Sequence, residues 1–299
     1  MIAHDPADAP LAASPSHSTC CVETHASQLP TVLEEAPTVF ERLIRPRCTI
    51  PALTLVSEEH QYADEGSTCP SVPVAFVNAL EEYTHETLLQ SMGIAPGMHW
   101  QHLIAEVRNG LTNLLHELLH AVHSMQEHAV LPQGTPHPKS ADYLAEGIVE
   151  YGTQLFFEDF VTALGIPNPE QILGSPNHVS RMYSEQAAAV RTLIESFCPE
   201  FDVAPRSLLR QMLQYGGYPE GFLRFLERIG TKSGLTPECT HSVLVPDMHA
   251  QLDQLIDSTR PLRHDAEESG RFIGYLLAAR IQQTIATQRK VLPAPFSMN

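Results

Sequence analysis

The amino-acid sequence predicts a mainly α-helical protein of the α+β type, with one small edge sheet. Three observations support this fold class. From residue 75 onward, long segments without proline carry apolar residues at helical spacing. Segments containing Gly and Pro punctuate them, as expected of the joints between helices. The best strand candidate is TIPALTLVS at residues 49–57, which lies before all of the long helices.

The N-terminal part of the chain has few elements of its own. Residues 1–36 are rich in Ala, Pro, Ser, Asp and His, which is typical of a flexible arm. A short helix is expected from Pro37, and residues 60–72 are expected to form a loop.

Helices account for the remainder of the chain. They are expected at about residues 75–92, 99–127, 140–164, 178–197, 205–215, 219–229, 246–258 and 264–288. We therefore predict a core at residues 37–165, a helical C-terminal lobe at residues 166–290 that packs on it, and a tail at residues 291–299.

The second long helix contains the most informative motif, HELLH at residues 116–120. Residues four apart lie on one face of an α-helix, so the imidazoles of His116 and His120 can reach a single ion. The carboxylate of Glu117 then lies beside that ion, where it can accept a proton from water. Because the chain has 16 histidines, the motif alone also fits a partly buried histidine pair that binds no metal.

A catalytic zinc site usually has a third protein ligand. The metzincin extension of the motif is excluded, since His123 stands where glycine is expected and Gln126 where a third histidine is expected. A proline-rich loop follows, and Ser140 is the expected N-cap of the next helix. That helix carries Glu146 and Glu150, which project from one side at a spacing of four residues.

HELLH followed by YLAEGIVEY at residues 143–151 resembles the gluzincin group of zinc metallopeptidases, the broad class of thermolysin and the zinc aminopeptidases. The resemblance covers residues 102–154 and no more. It implies a zincin-like core in which His116, His120 and Glu146 bind one Zn²⁺ per chain. It also implies that Glu150 orients a ligand histidine and that Glu117 is the general base.

The resemblance further implies a Tyr or His donor for the oxyanion, downstream of the third ligand. Candidates are His178, Tyr183, Tyr215 and Tyr218, and we favour Tyr183 because it is expected on a helix soon after the ligand helix. His123, one turn beyond His120, is interpreted as an ordinary surface or core histidine.

Composition limits the partners and the location of the protein. The net charge is −17, which argues against a broad nucleic-acid-binding surface. The six cysteines include no CxxC pair, and the N-terminus has no secretory signal pattern. No apolar segment is as long as a membrane span. We therefore expect a cytoplasmic protein with free thiols that acts on a peptide or a small amide.

Two other classes of function fit parts of the sequence. Glu82 and His85 form a second ExxH pair, so a di-iron carboxylate bundle is an alternative, although no ExxH follows Glu146 on its helix. A non-catalytic scaffold that keeps zinc for structure is the other, and the retained Glu117 argues against it because a structural site needs no base.

Overall fold

The computed structural model describes residues 30–46, 49–56, 70–127, 139–175, 183–259 and 265–291. In these ranges the chain is mainly helical with one two-stranded parallel sheet, which confirms the predicted fold class at this level. The elements in chain order are α1 Thr31–Glu34, α2 Ala36–Ile44, β1 Thr54–Val56, β2 Ser71–Pro73, α3 Val74–Ser91, α4 Trp100–Glu127, α5 Lys139–Ala163, α6 Pro169–Gly174, α7 Ser184–Phe201, α8 Pro205–Gln214, α9 Glu220–Lys232, α10 Pro237–Cys239, a π-helical turn Thr240–Leu244, α11 Val245–Thr259 and α12 Ala266–Val291.

The short elements differ most from the prediction. Helix α1 lies inside the stretch assigned to the N-terminal arm, and its Leu33 is fully buried in the core. Strand β2 begins inside the predicted loop and pairs with β1 in the register Thr54↔Ser71. A helix of three to six residues has fewer than two turns, and a strand of three residues has fewer than two repeats. Periodicity in the sequence cannot reveal elements as short as these.

Helix α4 is continuous through Gly110. A Cβ atom at Gly110 would lie 2.0 Å from Cδ2 of Phe76 on α3. The glycine therefore lets the aromatic ring of α3 pack directly against the backbone of α4. From the next residue onward the apolar face of α4 is fully buried at Leu111, Leu115 and Leu118, which fixes how the HELLH segment is rotated.

Glycines also bring helices α5 and α7 into close contact. A Cβ atom at Gly147 would lie 2.6 Å from Cγ2 of Val190 and 2.7 Å from the carbonyl oxygen of Gln186. The side chain next to Gly147 in the chain is Glu146. The close approach therefore holds the start of α7, with Tyr183 at its N-cap position, near the predicted ligand helix.

Helix α11 anchors the start of α5. The backbone N–H of Ser140 donates to Oδ1 of Asp253 at 2.8 Å, and Nζ of Lys139 lies 2.8 Å from Oδ1 of Asp257. The Ser140 hydroxyl lies 2.9 Å from Nδ1 of His249. Ser140 is therefore not the N-cap that the sequence suggested. Ser140 already lies within α5, and a carboxylate from another helix accepts its backbone N–H.

No helix among the described segments has both the length and the apolar character that a membrane crossing requires. The buried apolar side chains form one cluster that includes residues from both the predicted core and the predicted C-terminal lobe, from Leu33 to Ile285. The division into two lobes stays a prediction.

The anchor on α5 predicts a pH dependence of stability. Burial lowers the pKa of His249, and nearby Asp253 opposes this only partly. The folded state therefore binds the proton more weakly than the unfolded chain does. Well above pH ~6.5 the group leaves stability unchanged, and stability falls as the pH drops from about 6.5 to the lower pKa of the folded state.

We expect wild-type protein to lose its stability advantage over His249→Asn as the pH falls from about 7.5 to about 5.5. Urea unfolding of both proteins across this range measures the effect. His102→Asn is the control, because His102 has 74% of its side chain exposed. A constant difference between wild type and His249→Asn at all pH values would contradict the prediction.

Candidate metal centre

Helices α4 and α5 bring three possible ligand atoms together. Nε2 of His116 and Nε2 of His120 are 3.0 Å apart. Oε2 of Glu146 lies 3.6 Å from the first and 3.4 Å from the second. Among the described residues, this is the group of His, Cys, Asp and Glu side chains that could hold a metal ion.

The size of this triangle can be compared with a tetrahedral metal site. Ligands at about 2.0–2.1 Å from a tetrahedral ion are about 3.3–3.4 Å from one another. The three observed separations, from 3.0 to 3.6 Å, span that value. The donor set therefore fits one face of a tetrahedron, with the fourth position left for a further ligand.

A second observation concerns Oε2 of Glu146, which is buried and has no hydrogen-bond partner. Its distances to the two imidazoles exceed those of ordinary N–H···O hydrogen bonds. A buried carboxylate oxygen without a donor is costly, and a cation between the three atoms would remove that cost.

The electrostatics of the site also favour positive charge. Burial alone lowers the pKa of His116, but the nearby carboxylates of Glu146 and Glu150 and the charge of Glu117 outweigh it and raise the pKa to about 9. Burial alone raises the pKa of Glu146, but His116 and His120 overcome it and lower the pKa to about 2. The carboxylates thus hold a proton on His116, and a metal cation would compete with that proton for the same place.

Glu150 lies behind His116 on the side away from Glu146. It is 3% exposed, and its Oε2 lies 3.4 Å from Nδ1 of His116. Its other oxygen accepts a hydrogen bond of 3.1 Å from Nε2 of Gln154. An Nδ1–H facing this carboxylate leaves the Nε2 lone pair of His116 directed toward the ligand group.

Tyr183 borders the ligand group, and Glu117 follows the predicted ligand His116 in the chain. Glu117 is exposed, and its charge acts on both His116 and Tyr183. The ring of Tyr183 stacks on that of His116, with centroids 5.7 Å apart and planes inclined by 14°. Burial raises the pKa of Tyr183, and the charges of Glu146, Glu117 and Glu150 raise it further. The phenol is therefore a proton donor at neutral pH.

The other candidate donors have different surroundings. The hydroxyl of Tyr218 lies 3.4 Å from Nε2 of His249, in the anchor of α5. The guanidinium of Arg224 covers the ring of Tyr215 at 4.2 Å. His178 and the side chain of His123 lie outside the described residues. Tyr183 itself precedes α7 instead of lying within it, contrary to the helix predicted from residue 178.

The second ExxH pair does not reach the site. Glu82 and His85 are both exposed on α3, and neither belongs to the metal-binding group of the described residues. The described geometry thus offers ligands for one ion and gives no support to the di-iron alternative.

Sequence reasoning did not identify the contact of Gln154 with Glu150. The signal was present, since Glu146, Glu150 and Gln154 recur every four residues on α5. It did not identify the stacking of Tyr183 on His116 either, and no sequence pattern encodes a contact between residues so far apart.

No protein-family model, curated protein or solved structure matches the chain. The comparisons thus assign no family. What the structure supports is a possible His-His-Glu metal site in a mainly helical protein.

The geometry predicts one metal ion per chain. We expect wild-type protein to bind one equivalent of Zn²⁺. His116→Ala and Glu146→Ala each remove one of three ligands and should weaken binding more than about 100-fold, whereas Glu150→Gln should weaken it about 10- to 100-fold. Competition with a chromophoric chelator and elemental analysis measure both quantities.

His102→Ala is the matched control, because His102 lies on the same helix but is exposed and pairs with Glu106 at 3.3 Å. Circular dichroism verifies folding of each variant. Equal zinc affinity of wild type, His102→Ala and Glu146→Ala would exclude this group as the metal site.

Proposed function

We propose that this protein is a zinc-dependent hydrolase, most consistent with a metallopeptidase that cleaves a peptide or amide bond. The observation that carries the proposal is the compact triangle of His116, His120 and Glu146 donor atoms. Glu117 follows His116 directly in the chain. A structural zinc site is usually closed by four protein ligands, whereas a catalytic one has three and an open position. Three protein ligands with an adjacent carboxylate therefore favour a catalytic zinc site over a structural one.

Zn²⁺ suits this donor set of two imidazole nitrogens and one carboxylate oxygen. When bound, it supplies Lewis acidity that polarises a carbonyl group and makes a water molecule more acidic. His116, His120 and Glu146 would hold it. Glu150 would keep the His116 ring in the tautomer that presents Nε2.

The remaining steps belong to side chains of the protein. Glu117 is exposed and carries no hydrogen bond to the ligands, so its carboxylate is available to accept a proton and pass it to the leaving amine. Tyr183 keeps its phenolic proton at neutral pH and can donate it to the oxyanion that develops on the substrate. The stacking on His116 holds the Tyr183 ring at the edge of the site.

The resemblance to gluzincins agrees with these roles over residues 102–154. It also favours a peptide bond over other amides as the target. The acidic character of the chain gives basic or neutral peptides a modest advantage during encounter.

The base is tested by Glu117→Gln, which keeps the size of the side chain but removes its basicity. We expect kcat to fall about 10²- to 10⁴-fold with zinc content unchanged. The assay uses zinc-loaded protein and a library of internally quenched peptides. Undiminished hydrolysis by Glu117→Gln would refute the role of Glu117, and no hydrolysis by wild type would favour a non-catalytic zinc protein.

The donor is tested by Tyr183→Phe, which removes the hydroxyl but keeps the ring that stacks on His116. We expect kcat to decrease about 10²- to 10³-fold, with KM and zinc affinity nearly unchanged. Tyr215→Phe serves as the control, because Arg224 covers its ring outside the metal centre. If both variants hydrolyse the peptides equally well, Tyr183 is not the oxyanion donor.

A further inference from the structure

A second candidate binding site lies between helices α8 and α9 and the end of α7. It is a groove of about 590 Å³, which we call the basic groove. Arg224, Arg228 and Lys232 line one wall, and Phe201 and Tyr215 contribute aromatic surface. None of the proposed metal ligands lines this groove, so it is separate from the metal centre. Its volume lies within the range of ligand-binding clefts.

The charge of this groove contrasts with that of the chain, which has 18 basic and 35 acidic residues. One carboxylate, that of Glu227, lines the groove, and it pairs with His241 at 2.5 Å. Glu220 pairs with Arg224 at 2.7 Å. Arg228 instead donates to the neutral amide of Gln211 at 2.7 Å. Among the described residues no carboxylate pairs with Arg228 or Lys232, so the groove retains positive charge.

Aromatic rings hold these cations in place. The guanidinium of Arg228 lies 4.5 Å from the ring centre of Phe201, and Nζ of Lys232 lies 5.3 Å from the same centre. Arg224 covers Tyr215 in the same way. Two cations beside one ring repel each other, and an anion between them would relieve the repulsion. Because the side chains are already positioned, less conformational entropy is lost when such an anion binds.

The spacing of the cations indicates the shape of the ligand. Arg224, Arg228 and Lys232 recur every four residues, so they follow one another at intervals of about 6 Å along α9. Alternate side chains of an extended peptide lie on one side at intervals of about 6.6–6.8 Å. An extended chain with an acidic residue at every second position therefore matches the row.

From these features we infer that the basic groove binds an extended acidic peptide. A nucleic acid offers anions at a comparable spacing, but its dense charge would be repelled by a chain with a net charge of −17. A peptide with three carboxylates is repelled much less strongly by this net charge. The inference concerns binding alone, and it holds whether or not the metal centre hydrolyses peptides.

The test measures binding of a fluorescein-labelled peptide, Glu-Leu-Glu-Phe-Glu-Leu, by fluorescence polarisation with a chelator present to prevent hydrolysis. We expect saturable binding to the full chain that weakens as salt is raised. The combined variant Arg228→Gln with Lys232→Gln should bind at least about tenfold more weakly. The same peptide with Gln in place of each Glu should not bind measurably.

The matched control combines Arg271→Gln with Lys290→Gln, which removes two exposed cations from α12 and gives the same net charge. This variant should bind the peptide as wild type does. Three results would overturn the inference: no binding to wild type, equal weakening in both double variants, or tighter binding of a ten-nucleotide oligothymidylate at the same groove. His116→Ala should bind the peptide normally, which separates this outcome from the fate of the proposed hydrolase.

Discussion

The half-buried carboxylate of Glu146, held against two imidazoles of the neighbouring helix, is the interaction on which the candidate metal centre depends. Three carboxylates surround His116, and one buried oxygen of Glu146 lacks a hydrogen-bond partner. Removing such groups from water is costly unless positive charge accompanies them. A proton on His116 supplies this charge in part. A divalent cation at the centre of the three donor atoms would supply it more completely.

The surrounding helices are arranged so that this costly group of charges stays together. The fully buried leucines of α4 orient the two histidines. Gly147 lets α7 approach α5 closely, and this brings Tyr183 onto the ring of His116. Asp253 on α11 caps the first turn of α5. Each of these contacts joins residues far apart in sequence, so the geometry of the site depends on the packing of the whole helical array.

Charge is distributed unevenly over the molecule. The metal centre concentrates carboxylates, whereas the basic groove concentrates cations, of which Arg228 and Lys232 have no acidic partner among the described residues. Surface ion pairs contribute little to stability, so neither concentration is explained by folding alone. Sites of opposite charge can select substrates and partners by their electrostatic complementarity.

The sequence by itself determined the features that depend on local spacing. Apart from the start of α7, the ends of the long helices were predicted within a few residues because their apolar residues repeat over several turns. The pairing of His116 with His120, and of Glu146 with Glu150, followed from the four-residue repeat. Only the tertiary structure decided that the two pairs face each other, since their helices are joined through residues 128–138, whose path no periodicity defines. It also decided that Tyr183, and not Tyr215 or Tyr218, lies against His116, and that α11 caps α5. Contacts between distant segments arise from packing and burial, and these are properties of the assembled core that no local pattern records.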